Sequence, residues 1–233
     1  MKQKVENEKW KCEVTSSTLK CIAIVSMLID HFAIAIYMNL GNPSYEVYRM
    51  LRYIGRIAFP IYCFLLVEGF FYTQNVKKYI GRCFVFALLS ELPYNLAIYG
   101  TLWENSMQNV YFTLTMGLCV LYCLERVKGY EIKNMILQGV IIAIGAGIAE
   151  VLDFDYHYLG VLFIVLFYYS RNIEKWRRTL LGALAFSYEV TAPLAFIPIY
   201  LYQGKRGWKL KYVFYWVYPV HLLIYGVIRL YLL

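Results

Sequence analysis

MLRYIGRIAFPIYCFLLVEGF, residues 50–70, decides the fold. Arg49, Arg52 and Arg56 stand at its start, Pro60 follows a turn later and Glu68 lies near its end. All else in it is apolar, aromatic or glycine. Arg56 and Glu68 are twelve residues apart, about 18 Å along a helix, whereas crossing the hydrocarbon core takes about twenty apolar residues. One or both charges therefore lie below the headgroups. An ionisable group at that depth is costly, faces the bundle interior and marks a site. The competing reading is an Arg56 that snorkels to the interface, an option less open to the shorter Glu68.

The composition extends this reading to the whole chain of 233 residues: 61% are hydrophobic, 18% aromatic and only 16% charged, with a mean hydropathy of +0.50. Soluble domains are roughly half apolar and a quarter charged. The chain is all-α, a polytopic helical membrane bundle of about eight spans, within a range of seven to nine. Its 24 tyrosines suit interfacial belts or a polar-lined cavity. The net charge of +8 sits in short loops, so it sets orientation and does not signal nucleic acid. Cys12, Cys21, Cys63, Cys83, Cys119 and Cys123 form no CxxC pair; no zinc pattern or disulfide framework is present.

Residues 1–18 read as a polar cytoplasmic tail, not a signal peptide, and 19–233 as one membrane domain without a linker. Thr15 to Thr18 suits a helix cap. Spans are expected at about 19–40, 54–72, 80–99, 109–124, 135–152, 158–169, 180–202 and 212–233. Pro193 and Pro198 predict a kinked or broken seventh span. Five lysines up to Lys20, and three or more Lys or Arg in each of the loops 73–82, 125–133 and 171–178, contrast with none in 100–108 and 153–157. That alternation puts the N-terminus in the cytoplasm. Arg49, Arg52 and Arg56, and the group Lys205, Arg206, Lys209 and Lys211, break it. Either 180–202 is re-entrant or those charges serve a site.

The intramembrane ionisable set is Asp30, His31, Arg56, Glu68, Glu91, Glu150, Glu189 and His221. Asp30 and His31 point about 100° apart on a helix, so each needs a partner elsewhere. Arg56 is the expected partner of Asp30, which leaves His31 for proton work or for a structural bond to a neighbouring serine or tyrosine. Pro219 loosens the helix around Tyr218 and His221, which places them on a cavity wall or at an interfacial cap. His157, in the turn DFDYHYLG, reads as solvated. SELPYN (90–95) and QNVYFTLTMG (108–117) place Glu91, Asn95 and Asn109 in apolar surroundings, where amides glue helices or line a pathway. YQGKRG offers Lys205 and Arg206 as point charges for phosphate, or simply as an orienting loop. Phosphate-loop, nucleotide-fingerprint, metalloprotease and nucleophile-elbow motifs are absent from the sequence.

Seven pieces in order, LKCIAIVSMLIDH, GRIAFPIYCFLLVEGF, KKYIGR, LLSELPYN, QNVYFTL, DYHYLGVL and YQGKRG followed by KYVFYWVYPVHLL, run from residue 19 to 223. In them the chain resembles the TraX family of bacterial membrane proteins, named for a protein implicated in N-terminal acetylation of pilin. It is similar, more distantly, to transmembrane acyltransferases that use cytoplasmic acyl-CoA. The resemblance implies a multi-pass protein of the bacterial cytoplasmic membrane that moves an acetyl group from acetyl-CoA to an amine or hydroxyl of a peptide, glycan or lipid. It implies catalytic candidates His31, Asp30, Arg56, Glu68 and His221. Lys77, Lys78, Arg82, Lys205 and Arg206 are the candidates for the CoA phosphates, and Glu91, Asn95, Asn109 and Tyr218 for the acceptor; no metal is expected. A small transporter using the same charges, a non-catalytic assembly factor, and a haem protein ligated by His31 and His221 are the other readings.

Overall fold

The computed structural model describes residues 14–208 and 211–232. Most of the polar tail, including Cys12, lies outside those residues, as do Lys209 and the Lys211 side chain. Among the described residues the elements are helical, with isolated bridges in place of a sheet. The helices are α1 (Ser16–Ala35), α2 (Tyr45–Gly55), α3 (Ala58–Tyr72), α4 (Val76–Tyr99), α5 (Val110–Leu124), α6 (Ile132–Val151), α7 (His157–Ser170), α8 (Lys175–Ala185), α9 (Phe196–Leu201) and α10 (Lys211–Leu232). The all-helical membrane bundle expected from the sequence is what forms. Four helical stretches, residues 16–39, 45–72, 132–151 and 212–231, are long and apolar enough to cross a membrane by length and composition. The expected eight spans are not all of that kind: α5 and α7 are shorter apolar helices, and α4 carries Lys77, Lys78, Arg82 and Glu91.

Local chemistry explains the boundaries. Thr15 caps α1 in a reciprocal capping box with Thr18, as the sequence suggested. Asn75 accepts from the Lys78 amide to start α4, and Gly100, at φ 74°, ends it in the left-handed region. Pro60 is the third residue of α3. It has no N–H for the Arg56 carbonyl, so the opening segment is two helices that break at Arg56–Ile57. The second span therefore begins near Tyr45, not Ile54, and the arginines lie within it.

The seventh expected span is re-entrant. α8 and α9 have 11 and 6 residues, well short of a crossing. A 3-10 turn, Ala192–Ala195, joins them beside Pro193. Lys175 Nζ, at the start of α8, donates to the Tyr202 carbonyl just past α9 at 2.6 Å, so the excursion returns to the end it left. Its tip is tied to α2, where Thr191 donates to the Tyr53 carbonyl, while Tyr188 and Val190 stay exposed. Irregular backbone is tolerated at membrane depth where it packs on protein or lines a cavity, and Tyr188 and Glu189 line one. Beyond Tyr202 the chain joins the start of α1, through Ser16 N to Lys205 O at 2.8 Å and Gln203 N to Val14 O at 3.2 Å. One end of the bundle thus holds the starts of α1, α4, α8 and α10 and the basic loop 203–208. This is the basic end; the other is the far end.

Candidate functional site

A cleft of about 590 Å³ opens at the basic end. Ser16, Lys20, Ile24 and Met27 recur at helical spacing along one face of α1 and form a wall. Lys20, Arg82 and Arg206, with Glu68, are the charged residues of its lining and lie with Tyr79 and Tyr215 toward the mouth, Leu65 and Leu66 follow, and Met27, Tyr62, Tyr111 and Tyr218 close it. Pro219 explains part of that floor. It offers no N–H to the Tyr215 carbonyl, which instead accepts from Tyr111 Oη at 3.4 Å. Tyr218 is 5% exposed, and its hydroxyl has no acceptor among the described residues.

Directly behind Tyr218 lies a histidine pair. The Tyr218 ring packs edge-on against His31 and His221, with centroids 5.8 and 5.7 Å away. His31 Nδ1 and His221 Nε2 are 2.7 Å apart, and His221 Nδ1 is 2.7 Å from the Val217 carbonyl, one turn back on α10. A carbonyl only accepts, so His221 Nδ1 carries a hydrogen. In the neutral ring its Nε2 is then a lone pair, which must receive the hydrogen of His31 Nδ1. His31 is therefore left with an unprotonated Nε2, and among the described residues that atom makes no hydrogen bond. The histidines that the sequence left without partners are partners of each other.

A layer of charge sits beside the pair. Arg52 Nη1 binds Asp30 Oδ2 at 2.5 Å, and Arg56 Nε faces Glu189 Oε2 of the re-entrant tip at 3.3 Å. The expected Asp30–Arg56 pair is thus replaced by Asp30–Arg52. The cause is the break after Gly55 together with that glycine: a Cβ there would lie 2.0 Å from Asp30 Oδ1, so only glycine lets α1 slide under α2 to Arg52. Asp30 Oδ1 is buried without a partner among the described residues.

The DFDYH turn joins this layer at the far end. Asp153, Tyr156 and His157 hold φ of 49°, 65° and 47°, each costing on the order of 1–3 kcal/mol. Hydrogen bonds from Gln108 N to Asp153 O and from Asp155 N to Gln108 O, 2.8 and 2.9 Å long, hold the turn. Tyr156 also stacks on Phe59 at 3.5 Å. The turn presents Asp155 and Tyr156, with Arg56, Tyr188 and Glu189, to a pocket of about 270 Å³. Burial, then the nearby Asp30 carboxylate, push the Asp155 carboxyl up to about 6.

Several expected site residues lie elsewhere. Glu68 is at the basic end, where its carboxylate meets Arg171 Nε at 3.3 Å; it lines the cleft but does not join the histidines. Lys77, Lys78 and Lys205 are exposed, whereas Arg82 and Arg206 line the mouth. Asn109 is fully buried. Its amide binds Glu91 at 2.5 Å and the Ala87 carbonyl at 2.9 Å, and its Oδ1 caps α5 through the Tyr111 amide. That is helix glue between α4 and α5. Asn95 is buried on α4 away from the cleft lining. Sequence reasoning passed over Lys20 and Asp155 and, of the lining tyrosines, singled out Tyr218 alone; the i, i+4 recurrence of Ser16, Lys20 and Ile24 was the readable signal for the first.

The fold and site define a polytopic membrane protein built around an internal polar site, with a cationic entrance and buried titratable groups. The chain belongs to the TraX family: the family model described as TraX protein matches residues 15–229. It is 27% identical over 231 residues to the "Probable fimbrial assembly protein FimC, serogroup H1" of Dichelobacter nodosus, covering 88% of this chain and 91% of that protein. It is 26% identical over 104 residues to the uncharacterized protein RP591 of Rickettsia prowazekii (strain Madrid E), covering 45% of this chain and 35% of that one. No solved structure matches the chain.

Proposed function

We propose that the chain is an acyltransferase of the bacterial cytoplasmic membrane that takes an acetyl group from acetyl-CoA, with His31 as the base. One observation carries the reading: the directional chain from His31 to His221 to the Val217 carbonyl, which leaves a lone pair on His31 Nε2 behind the floor of a cation-mouthed cleft. The basic end is the cytoplasmic end, since it gathers the start of α1 and the Lys- and Arg-rich loops, so the cleft opens toward the acyl-CoA supply.

The acceptor's N–H or O–H proton passes to His31 Nε2 as its nitrogen or oxygen bonds to the thioester carbon. The carbon–sulfur bond breaks, sulfur takes the electron pair, and the proton returns from His31 to give the free thiol. His221 holds His31 in the tautomer that accepts. Tyr218, with an unused hydroxyl hydrogen on the cleft floor, serves the carbonyl oxygen. Arg56 is held by Glu189 and takes no part at that oxygen. Asp30 acts through Arg52, as a positioning residue beside His31.

Purified protein in nanodiscs with radiolabelled acetyl-CoA is the test. Label transfer or release of free CoA supports the reading; a folded protein that does neither overturns it. A second reading, a non-catalytic assembly factor, draws on the printed name of the Dichelobacter relative. It requires that His31→Gln leave assembly of a surface fibre intact.

A further inference from the structure

Lys20 belongs to none of the pairings described so far. A lysine one turn into a membrane helix ordinarily snorkels outward to the headgroups. This one turns inward: it lines the cleft, and its ammonium lies over the Phe214 ring of α10 at 4.9 Å. Arg82 and Arg206 line the same mouth. Arg82 stacks over Tyr79, and its Nε has no hydrogen-bond partner among the described residues. Glu68 also lines the cleft, but Arg171 holds its carboxylate. Three cations from three elements therefore face one opening.

The rim is also built to stay in place. Ser17 Oγ donates to the Arg206 carbonyl at 3.2 Å, and the Ser16 amide donates to the Lys205 carbonyl. Gly207, at φ 73°, packs so close that a Cβ would lie 2.6 Å from the Thr15 and Ser17 hydroxyls. The capped start of α1 thus fixes the loop that carries Arg206 beside Lys20. Fixed cations around a concave mouth are a site for a multiply charged anion. The charged side chains lie toward the basic end, whereas Met27, Tyr62, Leu65, Leu66, Tyr111 and Tyr218, further along their helices, leave the rest of the lining uncharged. Lys20 lies seven residues before Met27 of the floor, about 10 Å, and eleven before His31, about 16 Å. A ligand with a polyanionic head and a thin, uncharged arm fits that profile.

We propose that Lys20, Arg82 and Arg206 form a phosphate clamp that selects the phosphorylated nucleotide head of the donor. The clamp rests on the acyl-transfer reading for its thioester but not for its phosphates. It excludes acetyl-pantetheine, which carries the arm without the head, as an efficient donor.

The test compares binding of CoA and of pantetheine to wild type, Lys20→Met and Lys20→Arg in nanodiscs of zwitterionic lipid. Steady-state transfer from acetyl-CoA and acetyl-pantetheine is measured beside it. Wild type is expected to prefer the phosphorylated form. Lys20→Met should lose at least about tenfold of that preference, and Lys20→Arg should keep most of it. Equal preference in wild type and Lys20→Met overturns the clamp even if acyl transfer stands. Lys20-dependent CoA binding without turnover keeps the clamp and sinks the acyl-transfer reading. CoA that fails to bind, while phosphatidylglycerol added to the discs protects the mouth from a cysteine-scanning label in a Lys20-dependent way, makes a lipid phosphate the occupant and overturns the nucleotide assignment. If Lys20→Met does not fold, Arg82→Gln provides the same comparison from α4.

Discussion

His31 Nδ1 gives its hydrogen to His221 Nε2 across 2.7 Å, and the Val217 carbonyl on the other side of His221 fixes that direction. Two stacked neutral imidazoles could exchange roles if neither were anchored. Here one is tied to a helix carbonyl, so the ring with the available lone pair is His31. In protein with ¹⁵N-labelled histidine, both rings should show a protonated Nδ1 and an unprotonated Nε2. The opposite tautomer on His31 would remove it as a base. His221→Gln should lower turnover by about 10- to 100-fold, less than loss of His31, because it disturbs only the orientation of the base.

Asp30 and Arg52 are expected to behave as a unit. Arg52→Gln leaves a partly buried carboxylate without its cation and should destabilise the protein by more than the double variant Asp30→Asn/Arg52→Gln does. Arg56→Gln should show that coupling with Glu189 instead. A thermal-melt double-mutant cycle in detergent checks both. Coupling of Asp30 to Arg56 in place of Arg52 would contradict the packing of α1 on α2.

Gly55→Ala places a methyl group 2.0 Å from Asp30 Oδ1 and should cost about 1–3 kcal/mol through forced displacement. Gly139→Ala in α6 meets nothing within 4 Å and should be neutral or stabilising by about 0.5–1 kcal/mol. The two melting temperatures, compared under one condition, test the contact and its control.

Asp155 predicts a pH dependence. Its carboxyl is raised to about 6 in the folded protein, against about 3.9 for an unfolded aspartate. Between those values the folded state binds more protons. Its contribution is therefore full below about pH 4, lost as pH rises through about 6, and flat above. Asp155→Asn should flatten that part of the stability profile; an unchanged slope in melts between about pH 4 and 6.5 would mean that another group sets it.

The helical bundle was legible because apolar runs and basic loops are properties of the chain itself. The broken seventh segment was legible too, since Pro193 and Pro198 forbid a continuous helix, and the re-entrant choice it left open accounts for Lys205 and Arg206 on the basic end. His31 and His221 stood out as polar groups in apolar surroundings. Their contact spans 190 residues, and no spacing rule reaches that far. Asp30 was paired with the wrong arginine because the choice turns on one missing Cβ at Gly55. For Asn109 and Glu91 the sequence left helix glue and pathway lining both open, since an amide that caps a helix and one that lines a pocket have the same sequence signature; the structure makes them glue. Lys77 and Lys78 were favoured over Lys20 because charge density is visible in a sequence, and the direction a side chain faces is not.

The most direct test of the account is acetyl transfer by purified wild type beside His31→Ala in nanodiscs, with both shown to be folded by matching melts. The account predicts that wild type releases CoA from acetyl-CoA and that His31→Ala loses about 10²- to 10⁴-fold of that rate. A folded His31→Ala that turns over at the wild-type rate, or a folded wild type that never cleaves the thioester, would contradict it.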